Sequence, residues 1–385
     1  MSRILSPKDS AQMADQVYNI RKASETDDAL AVLNDKFENK FKFRSDSPFA
    51  ARSGLPIISA RSGFGVTGQG VNQFAGDAVI ITRGTKTIPD LLTDANCGLS
   101  FRNSAANKAV HAGFNHTFHS MLPEICRFIK ETRPRTVHCV GHSLGGALAT
   151  LIAEWVATET NASANIYTFG SPRVGLASFA KNVSAHRKIK HVFRAINSGD
   201  PIAMVPVWPF VHTPDNGVEY RVSSGNFLRL KHHFMDNYIA AIGGASDWSQ
   251  IKRVSSFTPD VHSEALLSTP SGRNTIFSSA SLEKITAALL YLLRKAGFMV
   301  SFSIQNTVGF GTTLYDAIAW KLSNLAGKSP EMEGQVKNLM SHMMAFVGLP
   351  IAKTGETTVQ AIRAVFNRMV AVLYYLARNT LGQLF

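Results

Sequence analysis

The stretch Thr136–Leu151, TVHCVGHSLGGALATL, limits what this chain can be more than any other. An apolar, β-prone run from Val137 to Val140 meets Gly141-His142-Ser143-Leu144-Gly145, and Ala, Leu and Thr then continue at helical spacing toward Trp155. The pattern predicts strand, sharp turn and helix, and a Gly-x-Ser-x-Gly turn between strand and helix is a nucleophile elbow. The residues two places either side of the serine must lack a Cβ if the backbone is to hold Ser143 in a strained conformation with its hydroxyl presented. The helix N-terminus behind the serine favours negative charge. Gly146 and the small Ala147 and Ala149 strengthen this reading over that of an ordinary glycine-rich turn.

A chain of 385 residues, 45 % of them hydrophobic, makes one large domain or two ordinary ones around a substantial core. The longest charge-free run, Ala296 to Tyr315, is interrupted by Ser, Gln, Asn, Thr and Gly and does not read as a membrane span. MSRILSPKDS at the N-terminus has no apolar core of signal-peptide length, so synthesis in the cytoplasm without a signal peptide is expected. Cys97, Cys126 and Cys139 are odd in number and widely spaced; no disulfide framework or metal site follows, and a reduced compartment does. The net charge of +13 suggests attraction to a polyanion, either nucleic acid or an anionic lipid surface. No nucleic-acid motif or aromatic-interleaved basic run accompanies it, so lipid is preferred, with a merely solubilising charge as the competing reading.

Taken in order, Ser6-Pro7-Lys8-Asp9 reads as an N-cap with proline at the first helical position, and Ala11 to Lys22 as a first helix. Ser45 to Gly70, rich in Ser, Gly, Arg and Pro, is expected to be an irregular loop. Asp77 to Thr85 is a buried strand ending in a turn, Ile88 to Leu99 a short helix, and Val110-His-Ala-Gly-Phe114 opens a helix running to Lys130. Beyond the elbow, Asn165 to Phe169 and Lys190 to Ile196 are further strands. Alternating strands and helices predict an α/β fold with a mainly parallel sheet.

The ordered set Ile80-Ile-Thr-Arg-Gly-Thr85, Val110-His-Ala-Gly-Phe114, Gly141-His-Ser-Leu-Gly-Gly146, Tyr167-Thr-Phe-Gly-Ser-Pro-Arg173 and Asn197-Ser-Gly-Asp-Pro201 resembles the class 3 lipases. The resemblance covers roughly Gly76 to Tyr238 and implies an α/β-hydrolase fold. Serine hydrolysis needs a base for the hydroxyl and an acid to orient that base, in the chain order Ser, Asp, His for this fold. Asp200 follows the strand Lys190 to Ile196 at its carboxyl end, where ligand sites of such sheets lie, and Asp200-Pro201 matches the family's pattern. Of the 12 histidines, His233 is chosen because the family resembles this chain in placing a His five residues before a Tyr, here Tyr238. His212 and His232 are the alternatives. His111, His138 and His142 precede Asp200 and read as structural, and His116 and His119 have no partner ligand for a metal. The tetrahedral intermediate needs preorganised N–H donors: the backbone of Leu144 is one, and Thr85, by resemblance, the second. Residues 87–98 fall where the family often has a lid.

From Ser281 onward the pattern is helical, with apolar residues at three- and four-residue spacing in Leu282–Arg294, Leu314–Leu325, Met332–Val347 and Thr357–Leu381. Ile362, Val365, Phe366, Met369, Val372, Leu373 and Leu376 form one stripe bordered by Arg363, Arg368 and Arg378. Such a helix either lies on an anionic membrane or packs as part of a helical subdomain. Three regions are expected: an N-terminal segment 1–75, a hydrolase core 76–275 and a C-terminal helical subdomain 276–385. The function expected is a serine-dependent phospholipase A acting on membrane phospholipids, without cofactor or metal. A soluble carboxylesterase, a triacylglycerol lipase and a membrane-perturbing protein with an inert hydrolase fold are the alternatives. By resemblance to lipase effectors of bacterial type VI secretion, the expected setting is export by a non-classical route to a target-cell membrane. A dedicated inhibitor, or immunity, protein is expected as a partner, and nucleic acid is not.

Overall fold

The computed structural model describes residues 3–21, 26–55, 58–84, 99–100, 109–208, 210–223, 230–255, 260–270, 277–297, 314–349 and 356–384. The described residues fall into two compact units, the first within Met1–Gly225, Arg229–Ser255 and Ala377–Phe385 and the second within Ser256–Leu376.

The first unit is built on a nine-stranded sheet. Its centre is five parallel strands, β4 (Asp77–Thr82), β7 (Thr136–His142), β8 (Ser163–Phe169), β9 (Ile189–Asn197) and β10 (Val218–Ser223), hydrogen-bonded in that order. Every residue of β4 and β7 is buried, which is why both read as mainly apolar runs rather than as alternation. Helices α3 (Ala112–Thr132), α4 (Leu144–Glu159) and α5 (Ala177–Ala185) make the crossovers from β4 to β7, β7 to β8 and β8 to β9. This is the α/β-hydrolase architecture, and it aligns the carboxyl ends of β4, β7, β8 and β9 along one edge of the sheet.

The flanks are antiparallel: β1 (Phe41–Lys42) and β2 (Pro48–Leu55) pair with β3 (Ile58–Gly70), β3 pairs with β4, and β11 (Lys252–Ser255) closes the far side against β10, while β5 (Leu99–Ser100) and β6 (Val110–His111) form a separate antiparallel pair. The expected irregular loop over Ser45–Gly70 is therefore mostly a β-hairpin. Its glycines misled the composition reading because they are glycines of necessity. A Cβ on Gly65 would lie 2.2 Å from the Phe49 ring, and one on Gly68 would lie 2.7 Å from the Phe43 ring. Strand glycines mark such close approach as often as they mark loops.

The N-terminal helix begins as expected, Ser6 accepting the Asp9 N–H at 3.0 Å with Pro7 in the first turn, but it is shorter: α1 spans Pro7–Gln16 and gives way to a 3₁₀ turn over Val17–Arg21. α2 (Thr26–Phe37) follows. The segment before α1 is stitched to the core, since the Leu5 N–H donates to the Tyr167 hydroxyl at 3.0 Å and the Trp248 indole donates to the Leu5 carbonyl at 2.9 Å. Stacked Tyr167, Phe193 and Trp248 line this region. α6 (Met235–Ile242) lies between β10 and β11 in sequence.

The second unit is helical: α7 (Asp260–Ser268), α8 (Ser279–Lys295), α9 (Leu314–Ala326), α10 (Pro330–Phe346) and most of α11 (Val359–Leu384). Ser278 and Ser329 cap α8 and α10 by accepting the N–H groups of Ser281 and Met332, the hydroxyl satisfying a donor that the helix cannot. On α11, Ile362, Val365, Phe366, Met369 and Leu373 are buried, while Arg363, Arg368 and Arg378 are exposed. Most of the apolar stripe is thus buried, Val372 and Leu376 being half-buried, and the arginines lie on the exposed face. Among the described residues, no helix is long and apolar enough to cross a membrane.

Candidate active site

Ser143 sits at the carboxyl end of β7 as the residue before α4, with φ +59° and ψ −132°. A serine is seldom found at positive φ, and the surrounding structure must hold it there. Two glycines make the turn sterically possible: a Cβ on Gly141 would meet the Gly145 carbonyl oxygen at 2.1 Å, and one on Gly145 would meet the Thr82 carbonyl oxygen at 2.2 Å. The Ser143 N–H donates to the Phe169 carbonyl at 3.0 Å, tying the elbow to β8.

Asp200 follows β9 and His233 precedes α6. Nε2 of His233 lies 2.9 Å from the Ser143 Oγ, and Nδ1 lies 2.9 and 2.8 Å from the two carboxylate oxygens of Asp200. Asp200 and His233 are fully buried and Ser143 is nearly so. Each partner is fixed from behind. The Asp200 Oδ1 accepts the Ile202 N–H at 2.9 Å, and the Oδ2 accepts the Tyr238 hydroxyl at 2.8 Å, whose oxygen in turn accepts the Asn197 N–H at 3.1 Å. Burial, then the Asp200 charge, push the Tyr238 phenol well above its ordinary pKa, so it stays protonated and donates. The loop after Asp200 is clamped by buried Arg173, which donates from Nη1 to the Met204 and Pro206 carbonyls.

With that geometry in hand, residues 79–210 match the family model described as lipase (class 3). These residues belong to the class 3 lipase family. The chain is 30 % identical to secreted mono- and diacylglycerol lipase 1 of Fusarium solani, over 36 % of this chain and 42 % of that protein. It is 28 % identical to Toxin TseL of Vibrio cholerae, over 47 % and 27 %. It is 29 % identical to phospholipase A1-II 1 of Oryza sativa subsp. indica, over 44 % and 50 %. It therefore spans half or less of the length of each of these relatives. Among solved structures, mono- and diacylglycerol lipase from Aspergillus oryzae aligns over 66 % of this chain and 87 % of that chain, at 19 % identity with a TM-score of 0.43.

Within this class 3 lipase segment and its flanks, the sequence-chosen residues fall as follows. Ser143, His233 and Asp200 form one continuous hydrogen-bonded chain. His212 is elsewhere, donating from Nε2 to the Ala203 carbonyl at 2.8 Å, and burial followed by Arg194 and Arg173 holds its pKa well below the usual value. His232 is half-buried, and the bonds to Ser143 and Asp200 come from its neighbour His233. His111 stacks on Phe114, and His138 meets the Tyr167 hydroxyl at 3.1 Å. His116 and His119 lie exposed on α3. Leu144 is the first residue of α4, where backbone N–H groups have no partner within the helix. Thr85 and the lid segment 87–98 lie outside the described residues.

Two residues with a part in this geometry escape motif reading. Tyr238 served only as a landmark for His233, yet it holds Asp200. Gly170, quoted above only within the run Tyr167–Arg173, has φ +55°, and a Cβ on it would lie 2.4 Å from the Asp200 Oδ2, 3.0 Å from the His233 Nδ1 and 3.0 Å from the Tyr238 hydroxyl. Its signal was present in sequence as the Gly of Phe169-Gly170-Ser171, but nothing local says which side chains need that space.

Proposed function

We propose that this protein is a carboxylic ester hydrolase, a lipase that works through Ser143 and acts as a phospholipase A on membrane phospholipids. The observation that carries the reading is the hydrogen-bonded run Ser143–His233–Asp200 at the carboxyl ends of a hydrolase sheet. In the reaction, Ser143 Oγ attacks the ester carbonyl carbon as His233 Nε2 takes its proton, and the carbonyl π electrons move onto oxygen. The N–H of Leu144, together with Thr85, receives that charge. Collapse expels the glyceryl alcohol, protonated by His233, and leaves an acyl-serine. Water, deprotonated by His233, then releases the fatty acid and restores Ser143. Asp200 holds the imidazole in the required tautomer and stabilises its positive charge.

A charge of +13 supports an anionic bilayer as the surface, and the resemblance to a rice protein named phospholipase A1-II 1 supports a phospholipid ester. The relative named Toxin TseL supports use against a membrane other than the producer's own. An enzyme of this kind, made inside a cell, endangers that cell's bilayer, so a dedicated inhibitor covering the mouth over Ser143 belongs to the reading. Export by a non-classical route completes it.

The test compares wild type with Ser143→Ala on phospholipid vesicles, recording acid release and leakage together. Acid release that Ser143→Ala abolishes, faster on anionic than on neutral bilayers and less so in high salt, is the expected result, because exposed charges are screened within about 8 Å at physiological ionic strength. Cleavage of soluble short-chain esters with indifference to bilayers at every salt concentration replaces this reading with a carboxylesterase. Leakage that survives Ser143→Ala replaces it with a membrane-perturbing protein.

A further inference from the structure

Ser143 and His233 are also connected by a route that avoids Asp200. Tyr18, in the 3₁₀ turn after α1, places its hydroxyl 2.7 Å from His142 Nδ1 and 3.1 Å from the Gly84 nitrogen, while His142 Nε2 lies 2.6 Å from the His233 carbonyl oxygen. The directions of all three bonds follow from chemistry. The His233 carbonyl can only accept, so His142 carries its proton on Nε2. Burial, then the neighbouring His233, hold the His142 pKa well below its ordinary value, which leaves Nδ1 as a lone pair. The Tyr18 hydroxyl, its pKa pushed up first by burial, must then donate to that lone pair, and its oxygen accepts the Gly84 N–H. Gly84 ends the run beside the nucleophile: a Cβ there would lie 2.6 Å from the Tyr18 hydroxyl, 3.0 Å from the Ser143 Cβ and 3.3 Å from its Oγ. The Gly84 carbonyl is held as well, by Arg83 Nη1 at 2.7 Å, with Arg83 Nε donating to the Gly63 carbonyl at 2.6 Å. At the other end, the His142 ring lies 4.5 Å, centroid to centroid, from the His233 ring.

We propose that Tyr18 and His142 form a positioning relay that sets the turn after β4, which flanks the nucleophile, at a fixed distance from the backbone of the general base. The relay rests on the serine-hydrolase reading above and adds to it an N-terminal residue outside the family-matched stretch. It commits the Gly84 N–H to Tyr18, so an oxyanion donor from this turn must come from beyond Gly84. An imidazole suits the place before the nucleophile, because it presents an acceptor nitrogen to the Tyr18 hydroxyl and a donor nitrogen to the His233 carbonyl.

The experiment measures kcat and KM on soluble p-nitrophenyl butyrate for Tyr18→Phe, His142→Asn and the double variant, with thermal melts alongside. Tyr18→Phe keeps the ring and removes the bridge. His142→Asn keeps an acceptor near Tyr18 and cannot reach the His233 carbonyl. Each single change should lower kcat by about 10- to 100-fold, the scale of a small misplacement of reacting groups, with KM within about twofold of wild type. The double variant should be no slower than the slower single, because partners in one relay do not add. Unchanged kcat with only a lowered melting temperature, or losses that multiply in the double variant, overturns the relay. Loss of the folded state in both single variants assigns the pair to folding and overturns it too. A wild type silenced by Ser143→Ala yet indifferent to Tyr18→Phe refutes the relay alone, whereas activity that survives Ser143→Ala refutes the serine reading beneath it.

Discussion

Gly170→Ala tests whether the space beside Asp200 and His233 matters as much as the residues themselves. Gly170 and Gly243 have nearly the same φ, +55° and +57°, but different surroundings: a Cβ on Gly170 meets Asp200 Oδ2 at 2.4 Å, whereas the nearest atom to one on Gly243 is 3.9 Å away. An L-residue in the left-handed region costs about 1 kcal/mol or somewhat more, and both alanine variants incur that. Only Gly170→Ala must also push the Asp200 carboxylate away, by roughly 1 Å if ordinary contact near 3.5 Å is to be restored. That carboxylate is pinned by Tyr238, His233 and the Ile202 N–H, so the displacement passes to His233 and from there to the Ser143 bond. A misplacement of about 1 Å costs on the order of 100-fold in rate, equivalent to ~2.7 kcal/mol of barrier. The assay is p-nitrophenyl ester hydrolysis alongside urea denaturation. Gly243→Ala should lose about 1 kcal/mol of stability and keep its kcat/KM; Gly170→Ala should lose more stability and about 100-fold in kcat/KM. If the two variants differ by less than about threefold in kcat/KM, the space at Gly170 is dispensable and the reasoning fails.

Ser143→Ala, Asp200→Asn and His233→Ala should each lower ester hydrolysis by orders of magnitude with the fold retained, because such residues act as a unit; a silent His212→Ala beside an active His233→Ala would move the base. Thr85→Val keeps shape and removes a hydroxyl, so a loss of about 100-fold in kcat would match one lost oxyanion donor, and no loss would exclude the hydroxyl from that role. Stability should fall as pH drops below about 6.5, the ordinary histidine value. Burial is the leading cause that lowers the pKa of His138, His142 and His212 in the fold, so the unfolded chain takes up protons there that the folded chain does not. The sign is therefore a loss of stability with falling pH, with a slope of up to ~1.4 kcal/mol per pH unit for each histidine and none from these groups above their unfolded range. Melts between pH 7.5 and 5 check it: His212→Gln should flatten the slope, and a melting temperature that stays level or rises as pH falls contradicts the account.

Legibility followed the range of the interactions involved. The elbow was readable because strand, glycines, serine and helix are contiguous, and the steric demand of each glycine falls on atoms of the same turn or the adjoining strand. Asp200 was singled out by its place just beyond an apolar strand and by the Asp-Pro pair that matches the resembled family. The hairpin over β2 and β3 was misread, because glycines that make room for Phe43 and Phe49 look in one dimension like glycines of a loop. The stripe on α11 left two destinations open, and periodicity could not choose, since an apolar face looks the same whether lipid or protein covers it.

By itself the sequence determined an α/β fold with a mainly parallel sheet and Ser143 at an elbow between strand and helix, because both depend on patterns of neighbouring residues, and the resemblance to class 3 lipases added the α/β-hydrolase. Only the tertiary structure decided that His233, rather than His212 or His232, meets both Ser143 and Asp200, that Tyr238 and Gly170 shape the surroundings of Asp200, and that Tyr18 reaches His142 and Gly84. Those contacts join residues far apart in the chain, and their existence depends on where the strands of one sheet place their carboxyl ends. A hydrogen bond needs its atoms within about 3 Å of each other, and no spacing along the chain specifies a distance of that kind until the sheet has formed.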